Sequence, residues 1–326
     1  MKKIWLIALS SIIIYHSAKA QDGNTVFNFL KLPVSSHAAA LGGDNISIVE
    51  DDLTMAIQNP ALLSCVADRT LNLNYMTYLD GVGVASAAFS KVIGERSAWA
   101  VAAQYVGYGK FEGNTAEDIE TGEFSAKDMV FMGMYNYDLS DYWSGGVTAK
   151  AIYSKYEAYS SFAIGIDLGL NYYNANADMS FSFVAKNLGG QIVAFDDKKE
   201  KLPIDLQIGI TKRLAHAPLR LSITMPGLTN WKSSPYSAKE NKKDKFGKIL
   251  LNHFVFGLDW IPTDNFYVSL GYNCRRGNEM KVAGSSNWAG LSAGLGIQIK
   301  RIKLGASFAK YHTAASSLLF NLAMTL

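Results

Sequence analysis

Few residues in this chain are typed and spaced for chemistry. Ser307 and Lys310 form a Ser-x-x-Lys string, in which a lysine can activate a serine nucleophile. They fall in an alternating segment, however, and on a strand positions three apart point to opposite faces. Lys310 therefore cannot reach Ser307. The sequence contains no HExxH or CxxC string. His37, His216, His253 and His312 have no second ligand type at helical spacing, so no metal site is expected. The glycine pairs 81/83 and 294/296 lack the following helix that phosphate binding needs. Cys65 and Cys274 lie far apart, and sequence alone does not bring them to disulfide distance. Neither an enzyme nor a cofactor is expected.

Two loops hold most of the remaining polar character. Residues 112–123 are acidic, a solvated surface or a complement to a basic partner. Residues 227–248 set Trp231, Tyr236 and Phe246 among Lys232, Lys239, Lys242, Lys243, Lys245 and Lys248. Aromatic anchors with positive charge suit a protein partner or a lipopolysaccharide phosphate. The alternative is a loop that only stays soluble.

The elements that position these loops follow from export and from strand periodicity. Residues 1–20 have charged Lys2 and Lys3, an apolar run from Ile4 to Tyr15, and Ala18-Lys19-Ala20. That is the pattern of a cleaved signal peptide, with an apolar run too short to span a bilayer. Loss of Lys2, Lys3 and Lys19 takes 31 basic residues to 28, against 28 acidic ones. A neutral mature chain gives no electrostatic reason to expect nucleic acid. Beyond the signal no apolar run approaches the roughly 18 residues of a transmembrane helix. The chain is nevertheless 49% hydrophobic and 18% charged, with 17 Tyr and 16 Phe, which suits membrane strands and interface belts.

Alternation supports that choice. Leu291, Leu295, Ile297 and Ile299 share one face of residues 289–300, opposed by Gly290, Ser292, Gly294 and Gln298. Residues 162–172 and 204–213 repeat the pattern, which places Asp167 and Asp205 inward, and Lys150 is expected there too. A soluble sandwich would carry more Lys and Glu on its outer face. From Arg69 onward fourteen such segments are predicted: 69–79, 82–92, 96–109, 126–138, 143–155, 160–173, 177–187, 203–213, 218–226, 249–261, 264–275, 287–300, 301–311 and 315–326. An even count closes a bacterial barrel with both ends in the periplasm. If the first strand runs outward, the even-numbered connections are short and every long loop is extracellular, as outer-membrane barrels require. The last strand presents Leu318, Phe320, Leu322 and Met324 on one apolar face and ends in Leu326, where an aromatic is usual.

The expected organisation is thus a signal peptide over 1–20, a segment over 21–68 and an all-β transmembrane antiparallel barrel of about fourteen strands over 69–326. The bacterial outer membrane is the compartment. In the N-terminal segment, Ser35–Leu41 is helical and ends at Gly42-Gly43, and Asp51 or Asp52 caps a second short helix. Gln58-Asn59-Pro60 stops it. A compact segment of this kind ahead of a barrel belongs in the lumen as a plug.

FNFLKLPVSSHAAALGGDNIS and DDLTMAIQNPALLS, within residues 26–64, resemble the N-terminal signature of the PorV/PorQ family. Those are FadL-like outer-membrane barrels of the type IX secretion system. The match is looser beyond, at LGGQI and LPIDLQIGI, and the short loops and length suggest the PorQ-like branch. The resemblance implies fourteen strands and a lumenal N-terminal segment. It also implies a place in a surface attachment complex with sortase-like and surface-exposed subunits, where cargo is joined to lipopolysaccharide. Leu32, Pro33, Gly42, Gly43, Asn59, Pro60 and Ala61 fall on the family's plug pattern. They set what enters the lumen, or only fold the segment against the wall. The alternatives are a PorV-like cargo shuttle and FadL-like transport of a hydrophobic small molecule.

Overall fold

The computed structural model of the protein describes residues 25–79, 81–114, 120–231, 245–280, 288–311 and 316–326. The predicted signal peptide lies outside them. Fourteen antiparallel strands close into one barrel, each bonded to its neighbours in sequence, with the first pairing the last. They are β1 (Thr70–Leu79), β2 (Val82–Ile93), β3 (Ser97–Asn114), β4 (Glu120–Asp138), β5 (Trp143–Tyr156), β6 (Tyr159–Asn174), β7 (Met179–Val193), β8 (Asp205–Arg213), β9 (Leu219–Met225), β10 (Val255–Thr263), β11 (Phe266–Asn273), β12 (Leu291–Ile299), β13 (Ile302–Ala309) and β14 (Ser317–Thr325). Every predicted strand has its counterpart. No described helix is long and apolar enough to cross a membrane. The barrel crosses with strands, and its place is the bacterial outer membrane.

Alternation separates the two faces. On β6, Ile164, Ile166, Leu168 and Leu170 are exposed on the outside, while Ala163, Asp167 and Asn171 are buried inside. On β14, Leu318, Phe320 and Leu322 face out, and Ser317, Leu319 and Ala323 face in. Outward Phe131 and Leu270, 59% and 54% exposed, belong to the lipid-facing band. Tyr137, Tyr142, Trp143 and Trp260 are exposed near the end with the tight turns, an aromatic girdle at the periplasmic interface.

Three regions depart most from the predicted spans; one is β7, which runs on to Val193 where a strand over 177–187 is predicted. β3 and β4 continue into the acidic stretch as a projecting hairpin, with Phe111 paired to Phe124 and Lys110 bonded to Glu123 at 2.5 Å. Residues 112–114 and 120–123 of the acidic stretch are therefore strand, next to a stacked ring pair and an ion pair across the hairpin, and 115–119 lie outside the described residues. Residues 249–251, predicted as strand, belong to a short helix (Phe246–Leu251), and β10 begins only at Val255. A short apolar run of this kind fits a period of two as well as one helical turn.

The lumen is filled by residues 25–66. After a 3-10 turn (Asn28–Lys31) come helix α1 (Ser36–Ala40), helix α2 (Leu53–Gln58) and a second 3-10 turn (Pro60–Cys65). Leu41, Ile46, Ile48, Leu53, Met55, Leu62 and Leu63 are all but inaccessible. The largest apolar cluster joins this plug to the inner wall through Met76, Val84, Ala100, Met132 and Ile152. The helices of residues 246–251 and Cys274–Glu279, numbered α3 and α4, lie at the outer mouth.

Candidate functional site

Local rules build the plug as its sequence suggests. The Ser35 hydroxyl accepts from the Ala38 N–H at 3.1 Å and caps α1. Gly42 and Gly43, both at φ above +100°, end it, and the Gly43 N–H returns to the Ala38 carbonyl at 2.8 Å. Asp52, rather than Asp51, caps α2 by accepting from the Thr54 N–H at 2.8 Å. Asp51 instead accepts from the Ala67 N–H and from Lys303. Asn59 ends α2 in extended backbone, as a residue before proline must, and caps the following turn through the Ala61 N–H at 3.0 Å.

The predicted motif residues sit where plug meets wall. The Asn59 amide donates to the Ile46 carbonyl at 2.8 Å. The Ala61 carbonyl accepts from Ser144 on β5 at 2.9 Å. Pro60 and Ala61 lie against Gly146 and Gly169, where a Cβ would strike their backbone or the Asn59 side chain. Gly42 meets Gly271 on β11 in the same way, so bare backbone faces bare backbone. Gly43 and Pro33 are buried near the outer mouth, and Leu32 is half-buried there. These are close-approach positions, and sequence reasoning saw only the plug half of each pair.

A charged cluster fixes the opposite side of the plug. His37 bridges Glu50 at 2.6 Å and Asp259 at 3.0 Å. Arg220 spans the same acids at 3.1 and 2.8 Å, and Ser269 donates to Asp259 at 2.5 Å. The Tyr267 ring stacks on the imidazole with centroids 4.0 Å apart. Burial alone would depress the His37 pKa, but the two carboxylates overcome it and raise the value to about 10. His37 is therefore a cation at neutral pH and both its nitrogens donate. Burial would push Glu50 up, yet His37 and Arg220 hold it below the ordinary carboxylate value. His37 was weighed in the sequence only as a metal ligand. Its signal was elsewhere, in Arg220 and Asp259 standing at inward positions of lipid-spanning strands.

A second buried group marks a bulge in β7. Lys150 pairs with Asp167 at 2.6 Å and donates to Asn187 at 2.8 Å, which stands at φ +58°. Pairing of β6 with β7 shifts register there, and β8 starts only at Asp205. Residues 201–203 lie against the plug instead, with Lys201 bridged to Thr25, Leu202 buried and the Pro203 carbonyl accepting from Asn187 at 3.0 Å. Lys150, Asp167 and Asp205 all point inward as the alternation predicted.

Of the aromatic and basic residues in the predicted docking loop, Trp231, Lys245, Phe246 and Lys248 are described. Trp231 and Phe246 are exposed and stack at 6.4 Å. Lys232, Tyr236, Lys242 and Lys243 lie outside the described residues. Cys65 and Cys274 are both free, one in the plug and one at the outer mouth. Among the described residues no group of acids, histidines and cysteines is arranged to hold a metal.

No protein-family model matches the chain, and no curated protein matches it. Solved structures do. The TodX monoaromatic hydrocarbon channel (a deltaS2 mutant) matches with a TM-score of 0.54 at 12% identity, over 90% of this chain and 98% of that one. The CymD monoaromatic hydrocarbon channel matches with a TM-score of 0.54 at 12% identity, over 92% and 99%. A Pseudomonas aeruginosa FadL homologue matches with a TM-score of 0.51 at 10% identity, over 89% and 97%. The fold is FadL-like. At these identities the likeness speaks for architecture alone, and it runs through nearly the full length of each neighbour.

Proposed function

We propose that the protein is a non-enzymatic anchor in a cell-surface attachment complex, the type IX secretion assembly whose barrels residues 26–64 resemble. The observation that carries this reading is the pinned plug. Apolar packing, backbone-to-backbone contact at Gly146, Gly169 and Gly271, and a buried four-charge cluster all hold it in the lumen. A sealed barrel offers its outer loops, not its interior, as working surface. Trp231 and Phe246 supply aromatic anchors there. The partners are sortase-like and surface-exposed subunits, with outer-membrane lipid and lipopolysaccharide around the barrel.

The test is a pull-down of the tagged protein from outer membranes in mild detergent, with mass spectrometry of what co-purifies. Recovery of a sortase-like subunit in stoichiometric amount supports the anchor. A secreted cargo in its place turns the reading toward a PorV-like shuttle. A barrel recovered alone with an apolar small molecule sinks both.

That last outcome belongs to a second reading, passage of hydrophobic small molecules. Its support is the likeness to two structures named as monoaromatic hydrocarbon channels. The comparisons speak for this reading, and the resemblance of residues 26–64 speaks for the first. Transport requires a continuous apolar path. In the cavity of about 190 Å³ where the plug meets β7–β9, Leu30, Leu32, Pro203 and Ile204 are interrupted by Lys31, Asp44, Lys186 and Asp205, so the apolar lining is not continuous. Uptake of toluene into vesicles containing the barrel, compared with empty vesicles, decides it.

A further inference from the structure

The outer mouth holds a charge that no described residue neutralises. Arg276, on α4, is 7% exposed. Its guanidinium makes one side-chain hydrogen bond, from Nε to the Ala289 carbonyl at 2.9 Å. Nη2 has no partner, and Arg276 forms no ion pair with a carboxylate among the described residues. Its Cζ lies 4.7 Å from the centroid of the Tyr311 ring, and the Tyr311 hydroxyl is buried and unbonded as well. A cation over a ring recovers about 0.5–2 kcal/mol. Leaving a buried charge without a counter-ion costs more than that. Arg276 and Tyr311 both line one cavity of about 440 Å³, which Lys31, Pro33, Asp44, Glu279 and Met280 also line. Glu279 is taken by Arg275, at 2.8 Å. Lys31 and Arg276 then stand against Asp44 alone, and the wall keeps an excess of positive charge.

We propose that this cavity binds the oxyanion of a small molecule, a carboxylate or phosphate held by Arg276 and Tyr311, with its apolar body against Pro33 and Met280. A planar guanidinium offers two parallel donors to such a group, and the tyrosine hydroxyl offers a third. The volume is that of an ordinary small-ligand site. The plug supplies part of the wall through Lys31, Pro33, Gly43 and Asp44, so the site exists only while the plug is seated. It stands whichever reading of the protein's function holds.

Calorimetric titration of the folded full-length barrel in detergent with benzoate, phenyl phosphate and benzyl alcohol tests it. Benzoate or phenyl phosphate binds and benzyl alcohol does not. The tighter of the two anions tells a carboxylate source from a phosphate one. Arg276→Gln weakens binding by about tenfold or more, and Tyr311→Phe, which keeps the ring, weakens it about threefold. Saturating anion raises the melting temperature of the wild type and leaves that of Arg276→Gln unchanged. Should Arg276→Gln fail to give a folded band on an unheated gel, the Tyr311→Phe titration decides alone. Binding of neither anion, or equal binding by wild type and variants, overturns the proposal.

Discussion

Two charged regions meet the plug, and they are built oppositely. Against β9–β11, His37 and Arg220 share Glu50 and Asp259, so two cations and two acids close on each other within 3.1 Å. At the outer mouth, Arg276 is as deeply buried but has a ring and a carbonyl where a carboxylate would be expected. Burial is similar in the two; completeness is not. A buried group with all partners present specifies one position of the plug, while one left incomplete is stabilised only by something that arrives. The first region is thus an attachment and the second a receptor surface.

Removing one acid from the complete region breaks the contrast most severely. Asp259→Ala leaves His37 and Arg220 sharing Glu50 in a buried site. It is expected to cost roughly 3–5 kcal/mol, the usual penalty for stranding a buried charge. The midpoint of urea unfolding in micelles reads this directly. An unchanged midpoint means the cluster does not hold the plug.

Titration probes the same cluster without mutation. The His37 pKa rises from its ordinary 6.5 to about 10 in the folded protein. A raised basic group contributes stability that is full below its unfolded pKa and is lost as pH climbs through the folded one. Glu50 is depressed, so its contribution is present above the ordinary 4.5 and fades as pH falls through its lowered value. The plug should therefore stay seated across neutrality and loosen near pH 10. Protease cleavage of residues 25–66 against pH measures it, and release between pH 7 and 8 would contradict the assignment.

Packing gives the next smaller effect. A Cβ at Gly271 would meet the backbone of Ala40, Leu41 and Gly42, whereas one at Gly133 meets nothing. Gly271→Ala should cost about 1–3 kcal/mol by overpacking. Gly133→Ala should stay within about 0.5 kcal/mol. Equal effects of the two would show that the plug is not seated on β11.

How much of this was legible in the sequence depends on the range of the cause. Strand count, facing and turn lengths follow from a period of two and from turn chemistry, both local, and they were readable. So were the caps at Ser35 and Asn59 and the glycines ending α1. The partners of those residues were not. Gly146 and Gly271 look like any small lumenal residue until Pro60 and Gly42 are placed against them. His37 and Asp259 lie 222 positions apart, and no spacing rule links them. Residues 120–123 read as loop because their charges suggest solvent, although Glu123 pairs with Lys110 across strands. Arg276 was invisible as a site, since its oddity is a missing partner.

The smallest effect tests whether position, not charge alone, makes the difference. At the periplasmic end Lys303 on β13 bonds the Asp51 carboxylate and carbonyl of the plug. The pair is again a cation and an acid, but Lys303 and Asp51 keep side-chain exposures of 21% and 35%, whereas in the His37 cluster only Glu50 reaches 21% and the other three keep 10% or less. Water solvates either partner once the other is gone, and Asp51 retains the Ala67 N–H at 2.7 Å. Lys303→Gln should therefore cost less than about 1 kcal/mol. The loss should shrink further in high salt, because solvent-accessible pairs are screened and enclosed ones much less so. Urea midpoints of Lys303→Gln and Asp259→Ala, each at low and high salt, give the comparison its sharpest form. A Lys303→Gln loss as large and as salt-independent as that of Asp259→Ala would mean that the lower mouth is as closed to water as the lumen's centre.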